Sequence, residues 1–267
     1  MAQFKNVLEI LKLLDKSNCR ECGEKTCFAF CAAVLKGQKR LGECTHLDAE
    51  VINRYGDQEK GHSRRNEDRA EAVKLLRQRI SSMDLSEAAQ RLGEKFADGK
   101  LTIKCMGKNF TVDVAGNITT DIHVNHWVTM PILAYITDGA GVPVSGKWIP
   151  FRELEGGKDW YRLFNQMCEK PLKRIADTYT DLFEDILHIF SAKQVENVYD
   201  SDISIVLYPL PKVPILICYW RPDDGLESSL NIFFDETANK NLSIETTYTL
   251  ATGLLNMFKK IALTHGV

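Results

Sequence analysis

The sequence predicts an α+β protein: a small helical module at the N-terminus, followed by a larger α+β domain with antiparallel sheet. Three observations carry this. Strand-period and helix-period segments come in separate runs instead of alternating, which disfavours a doubly wound parallel sheet. The first strand candidates are separated by Gly-Lys-Asn and Ala-Gly-Asn, the chemistry of tight turns. The chain has 267 residues, 44% hydrophobic and 26% charged, enough for one large core and a small appendage.

Taken in order, Phe4, Val7, Leu8, Leu11 and Leu14 form the stripe of an amphipathic first helix. This N-terminal stretch lacks the basic region, continuous apolar run and small-residue cleavage site of a secretory signal. No window approaches the roughly 18 uninterrupted apolar residues of a membrane span, so a cytoplasmic protein is expected. A formal net charge of −2 and a pI near 6.3 give no global pull toward nucleic acid or an anionic membrane.

Thr26 is the expected N-cap of a second helix, CFAFCAAVLK, with Gly37 as its stop. This closes a module over residues 1–55. Residues 54–79 carry eight Lys or Arg against five Asp or Glu, so 56–83 reads as a charged linker giving way to a solvated helix. The larger domain, 84–267, opens with Asp84 and Glu87, a capping-box-like start to a helix ending near Gly99. KLTIKCM, NFTVDV and NITTDI then alternate apolar and polar residues as a three-stranded meander. A helix around 129–137, the loop DGAGVPVSG and a short strand KWIPF follow. Helical periodicity runs from Asp159 to about Phe190, with Pro171 marking a break or restart. Strands DISIVLYPL, VPILICYW and SLNIFF come next, and a helix from about Thr246 to Ala262 closes the chain.

The chemistry concentrates in SNCRECGEKTCFAF and GECTH, which give Cys19-x2-Cys22-x4-Cys27-x16-Cys44. In a reducing compartment clustered cysteines are metal ligands or redox groups before they are disulfides. Two thiolates at x2, a third on the first turn of a helix and a fourth returning after it can converge on an iron-sulfur cubane. Four thiolates also bind zinc. Zinc ribbons, however, present two x2-type knuckles, and only Cys19 and Cys22 make one here. Unliganded thiols are the third reading.

The run NCxECGExTCxAF, followed by an Ala-rich helix, a Gly and a Cys, resembles the four-cysteine iron-sulfur domain of the corrinoid iron-sulfur protein large subunit and of the B subunit of Rnf-type electron-transport complexes. The resemblance covers about residues 17–46. It implies a 4Fe-4S cluster held by Cys19, Cys22, Cys27 and Cys44. GKWIPFRELEGG and SLNIFFDETA are similar to DUF3786, a domain of unknown function found behind such cluster domains in anaerobes; no chemistry comes with that likeness. The chain is too short for the barrel and cobamide domains of the corrinoid protein, so cobamide carriage is not inherited.

Cys31 lies four residues after Cys27 on the same helical face and reads as a packing residue, as do Cys105, Cys168 and Cys218. Asp121, His123 and His126 could face a metal or act as axial ligands to a cofactor, but a strand end with a loop histidine is the plainer reading. Trp220, Arg221, Asp223 and Asp224 look like a hairpin turn before they look like a cation or acid-base site. Asp235 is expected to cap the following segment. Arg64 and Arg65 belong to a solvated linker, with docking of an acidic redox partner as the alternative. DGAGVPVSG lacks the Lys-Ser/Thr of a phosphate-binding P-loop.

The expected function is therefore one-electron transfer through a 4Fe-4S cluster to a partner protein or bound cofactor in anaerobic metabolism, without nucleic acid or membrane. Binding or reductive activation of a corrinoid-type cofactor is the alternative, and a purely structural cluster the third. Glu21 and Glu24 beside the cluster would lower its potential.

Overall fold

The computed structural model describes residues 4, 6–35, 38–48, 50–52, 60–121, 126–179, 181–196 and 198–265; of residues 60–67, 126 and 265 only the backbone is described. The chain divides into two compact units, Met1–Ala72 and Val73–Val267. The architecture is α+β, with helices and two antiparallel sheets.

In the first unit, helix α1 spans Val7–Leu11, capped by Asn6 Oδ1 accepting from Glu9 N–H at 3.1 Å. Helix α2 spans Cys27–Leu35, and Thr26 caps it as expected, its hydroxyl accepting from Ala29 N–H at 3.1 Å. Gly37, its expected stop, lies outside the described residues. A 3-10 turn over Leu41–Glu43 is closed by Glu43 Oε1 accepting from Arg40 N–H at 2.8 Å. The core gathers Ile10, Leu14, Phe30, Cys31, Leu41 and Leu47 with Cys27 and Cys44. The predicted stripe is corrected at one position: Leu8 is exposed and Ile10 is buried in its place. Helix α1 is only five residues long, so Ile10 sits where the chain turns off toward the cysteine loop.

Helix α3, Lys60–Ser81, carries the chain across the boundary between the units. Helix α4 is Leu85–Leu92, with Asp84 Oδ1 accepting from Ser86 and Glu87 N–H groups. It ends at Gly93 and not near Gly99, because Gly93 takes the left-handed conformation (φ 70°, ψ 31°) and Glu94 N–H returns to Ala89 O at 2.8 Å. The residues freed form strand β1, Lys95–Ala97, so the meander has four strands: β2 Lys100–Cys105, β3 Lys108–Val112 and β4 Ile118–Thr119 follow in sheet order β1-β2-β3-β4.

Helix α5, His126–Asp138, leads through the loop to β5, Trp148–Pro150. Helix α6, Gly157–Phe164, runs into a π-turn, Asn165–Glu169, and on into α7, Lys170–Thr178. Pro171 stands in the first turn of α7, the restart expected of it. It follows the π-turn, where the i→i+4 ladder is already interrupted; the break comes after Thr178, before α8, Leu182–Ile189.

Strands β6 Lys193–Gln194, β7 Ile203–Leu210, β8 Val213–Trp220 and β9 Ser229–Asp235 complete an antiparallel sheet of order β5-β9-β8-β7-β6. A short helix α9, Ala238–Asn241, and the long α10, Ile244–His265, end the chain. Helix α10 packs along α5. Gly253 permits this, since a Cβ there would lie 2.8 Å from Trp127 Cβ. One sheet face, with Ile205, Ile217 and Phe234, packs on the helices. The other, with Val206, Leu216, Cys218 and Phe233, is covered by the segment carrying Val195 and Val198, and Tyr199 stacks on Phe233 at 4.7 Å. Both faces of β8 are buried, hence its unbroken apolar run VPILICYW. No helix among the described residues is long and apolar enough to cross a membrane.

Candidate metal centre

The cysteine loop is shaped by its backbone before any side chain acts. Lys16, Asn18 and Arg20 take positive φ (61°, 54° and 68°), and Gly23 follows at 79°. Alternation of left-handed with ordinary residues turns successive N–H groups toward one side, the arrangement of anion-binding nests. Asn18 clamps the loop onto α2 from both directions. Its N–H donates to Cys27 Sγ at 3.4 Å, and its Oδ1 accepts from Cys27 N–H at 2.8 Å. Lys39 Nζ donates to the Cys22 carbonyl at 2.7 Å.

The fourth cysteine is returned by the turn after Glu43. Cys27 and Cys44 are buried in one apolar cluster, with Cys22 packed at its edge and half-buried. Cys19 is exposed, and its sulfur, a Glu21 oxygen and a His46 nitrogen lie mutually within 4.8 Å. Thr45 Oγ1 donates to Glu21 Oε2 at 2.5 Å, fastening the Cys19–Cys22 loop to the Cys44 turn. His46 Nε2 stands 3.3 Å from Glu21 Oε2 and its Nδ1 3.7 Å from Asp15 Oδ2.

Burial pushes the Cys44 thiol up, while a hydrogen bond from the His46 N–H pulls against it. The Thr45 hydroxyl, then His46, hold Glu21 below the ordinary carboxylate range, so the carboxylate beside the cysteines is hydrogen-bonded and paired. Cys31 is fully buried, and desolvation followed by the neighbouring Cys27 pushes it up to about 11. All eight cysteines are free thiols. The donor set therefore fits a thiophilic metal group: four thiols, two of them (Cys27 and Cys44) approached by backbone N–H groups, buried at Cys27 and Cys44 and open at Cys19.

The other candidates from the sequence are dispersed. Cys105 lies in β2, Cys168 in the π-turn and Cys218 in β8, all buried. Asp121 is an exposed bend; His123 lies outside the described residues, as does the side chain of His126. The side chains of Arg64 and Arg65 also lie outside them. Asp223 and Leu226 bridge across Asp224 (φ 42°) and Gly225 (φ 84°), a tight hairpin turn, and Arg221 N–H donates to Asp202 at 2.7 Å. Asp235 caps Thr237 and also accepts from Ser145 and Gly146 N–H groups, so it anchors the DGAGVPVSG loop instead of a ligand. Sequence reasoning missed the Thr45–His46 contribution to the site; their proximity to Cys44 in GECTH was the available signal.

Residues 84–257 match the family model described as "Domain of unknown function (DUF3786)". The chain belongs to the DUF3786 family. In this DUF3786 protein, residues 14–46 match a second model, described as "Putative Fe-S cluster", a span that takes in Cys19, Cys22, Cys27 and Cys44. The match supports an iron-sulfur cofactor in the first unit. No curated protein and no solved structure matches the chain.

Proposed function

We propose that this DUF3786 protein holds a 4Fe-4S cluster on Cys19, Cys22, Cys27 and Cys44 and passes single electrons to a partner protein or bound cofactor. The observation that carries the reading is the graded burial of the four sulfurs. Cys27 and Cys44 are enclosed, Cys22 is half-buried and Cys19 is open to solvent. An outer-sphere donor needs that asymmetry, with one side anchored and one side within reach of a partner.

Sequence spacing favours a cluster over a single zinc ion: zinc ribbons present two x2-type knuckles, and here only Cys19 and Cys22 make one.

When bound, the cluster supplies a one-electron couple. This chain's residues set its surroundings. The Asn18 and His46 N–H groups donate to Cys27 and Cys44 sulfur, which favours added negative charge and so the reduced state. Ile10, Leu14 and Phe30 keep water from the buried side. Glu21 at the open side opposes reduction, with His46 and Thr45 partly compensating.

The test is anaerobic reconstitution with iron and sulfide, followed by a potentiometric titration read by electron paramagnetic resonance. A one-electron signal appearing on reduction supports the reading. A bound cluster that stays silent down to the dithionite limit makes the centre structural.

A further inference from the structure

Cys19 is the one exposed member of the ligand set, and among the described residues it is the one in a mixed Cys/Glu/His group. Its sulfur, a Glu21 oxygen and a His46 nitrogen converge within 4.8 Å. The imidazole is held from both sides. Nδ1 lies 3.7 Å from Asp15 Oδ2, an ion-pair distance, and Nε2 lies 3.3 Å from Glu21 Oε2, so rotation of the ring away from Glu21 would free Nε2 while Asp15 stays on the Nδ1 side. Asp15 is itself fixed, its Oδ1 accepting from the Ser17 N–H at 3.1 Å and the Ser17 hydroxyl at 3.0 Å. With Asp15 on the Nδ1 side, Nε2 is the nitrogen turned toward Glu21 and the rim.

We propose that His46 is a reserve ligand to the iron at the Cys19 corner, taking over there when the Cys19 thiolate leaves. The inference rests on the cluster reading above. In the exchange the Fe–S bond to Cys19 would break, the imidazole would give up its hydrogen bond to Glu21 and, as its Nδ1–H tautomer facing Asp15, form an Fe–N bond through Nε2, and the released thiolate would take a proton from water. No electron changes hands. Imidazole is a competent iron ligand and already replaces thiolate in some cluster types. His46 is chosen over Glu21 because a carboxylate is a harder donor than this iron prefers. The consequence is one corner that can change its ligand while the three at Cys22, Cys27 and Cys44 stay fixed.

The experiment uses the full chain, reconstituted anaerobically, with nitrogen-15 histidine labelling and pulsed electron paramagnetic resonance. Cys19→Ala and Cys19→Ser are made in parallel, with circular dichroism confirming the fold of each. Both are expected to keep about four irons per chain, the content of a cubane, and to show a histidine nitrogen coupling absent from wild type. Adding His46→Ala should abolish that coupling and drop the content to about three irons or fewer. Loss of the cluster from both Cys19 variants to the extent seen in Cys22→Ala overturns the inference. Retention without a nitrogen coupling overturns it too, since Glu21 or water would then hold the corner. A wild-type chain that takes up no iron and sulfide defeats the cluster reading itself, a result distinct from either of these.

Discussion

Cys31 tests how far spacing alone identifies a ligand. It shares the helix face of Cys27 and lies in the same apolar cluster, yet it is fully enclosed among side chains such as Ile10 and Phe30. Cys31→Ala should leave the iron content within about a tenth of wild type and cost about 1 kcal/mol of stability, whereas Cys22→Ala or Cys44→Ala should lose most of the iron; iron and sulfide assays decide. The four candidate ligands were legible because a cysteine set is written in short local spacings. Glu94 was not legible, because its surroundings come from distant segments. It follows α4 and lies near Lys212, in the β7–β8 turn, whose Nζ donates to Gly141 O at 2.6 Å. Desolvation pushes the Glu94 carboxyl up to about 7, with Lys212 opposing. Its folded pKa thus exceeds the ordinary 4.5, so the folded state holds the extra proton between those values and this group's contribution to stability falls as pH rises through that window. At about 1.4 kcal/mol per pH unit, reduced for partial exposure, the change is on the order of 1–2 kcal/mol. Urea unfolding of wild type and Glu94→Gln across pH 4.5–7.5 should show the difference between them shifting by that amount. Parallel curves would show that Glu94 is solvated.

At the scale of elements, the long periodic pieces were readable and the punctuation was not. Strands β7, β8 and β9 and helix α10 lie where their apolar runs put them. By contrast, β1 is three exposed residues whose strand character comes from pairing with β2 through Lys95–Thr102, Phe96–Leu101 and Ala97–Lys100. Pro171 reads correctly as a restart, in the first turn of α7, whereas nothing local announces the π-turn before it. Asp235 shows the same non-local logic with larger consequences. It is fully buried; burial alone would raise its pKa, but the Thr237 hydroxyl and the N–H groups of Thr237, Ser145 and Gly146 together hold it below the ordinary range. Asp235→Ala strands those donors, and a buried donor without a partner costs about 1–3 kcal/mol. We expect a loss of about 3–4 kcal/mol in the unfolding free energy read from urea curves, with Asp235→Asn losing about half as much. A loss below about 1 kcal/mol in the alanine variant would mean that water replaces the carboxylate and that the loop is not anchored there.

For the whole molecule, the two units have cores of very different size. Among the described residues the first gathers eight buried side chains, two of them the candidate ligands Cys27 and Cys44. The second buries faces of two sheets against helices α4 to α10. A core as small as the first does not ordinarily hold a fold unaided, whereas metal binding to a site absent from the unfolded chain adds its binding free energy to folding. The second unit needs no such help. Calorimetry of the loaded protein should therefore resolve a metal-dependent transition from a metal-independent one. Stripping iron with a chelator under anaerobic conditions should abolish or lower the first by 15 °C or more, on the order of a loss of several kcal/mol in a small unit, and move the second by less than about 2 °C. Limited proteolysis of the stripped protein should then degrade residues before about 60 while a fragment retaining α10 persists. A single transition that moves as a whole on iron removal would show that the two units fold as one, and the cluster would then be a keystone for the DUF3786 domain as well as for its own module.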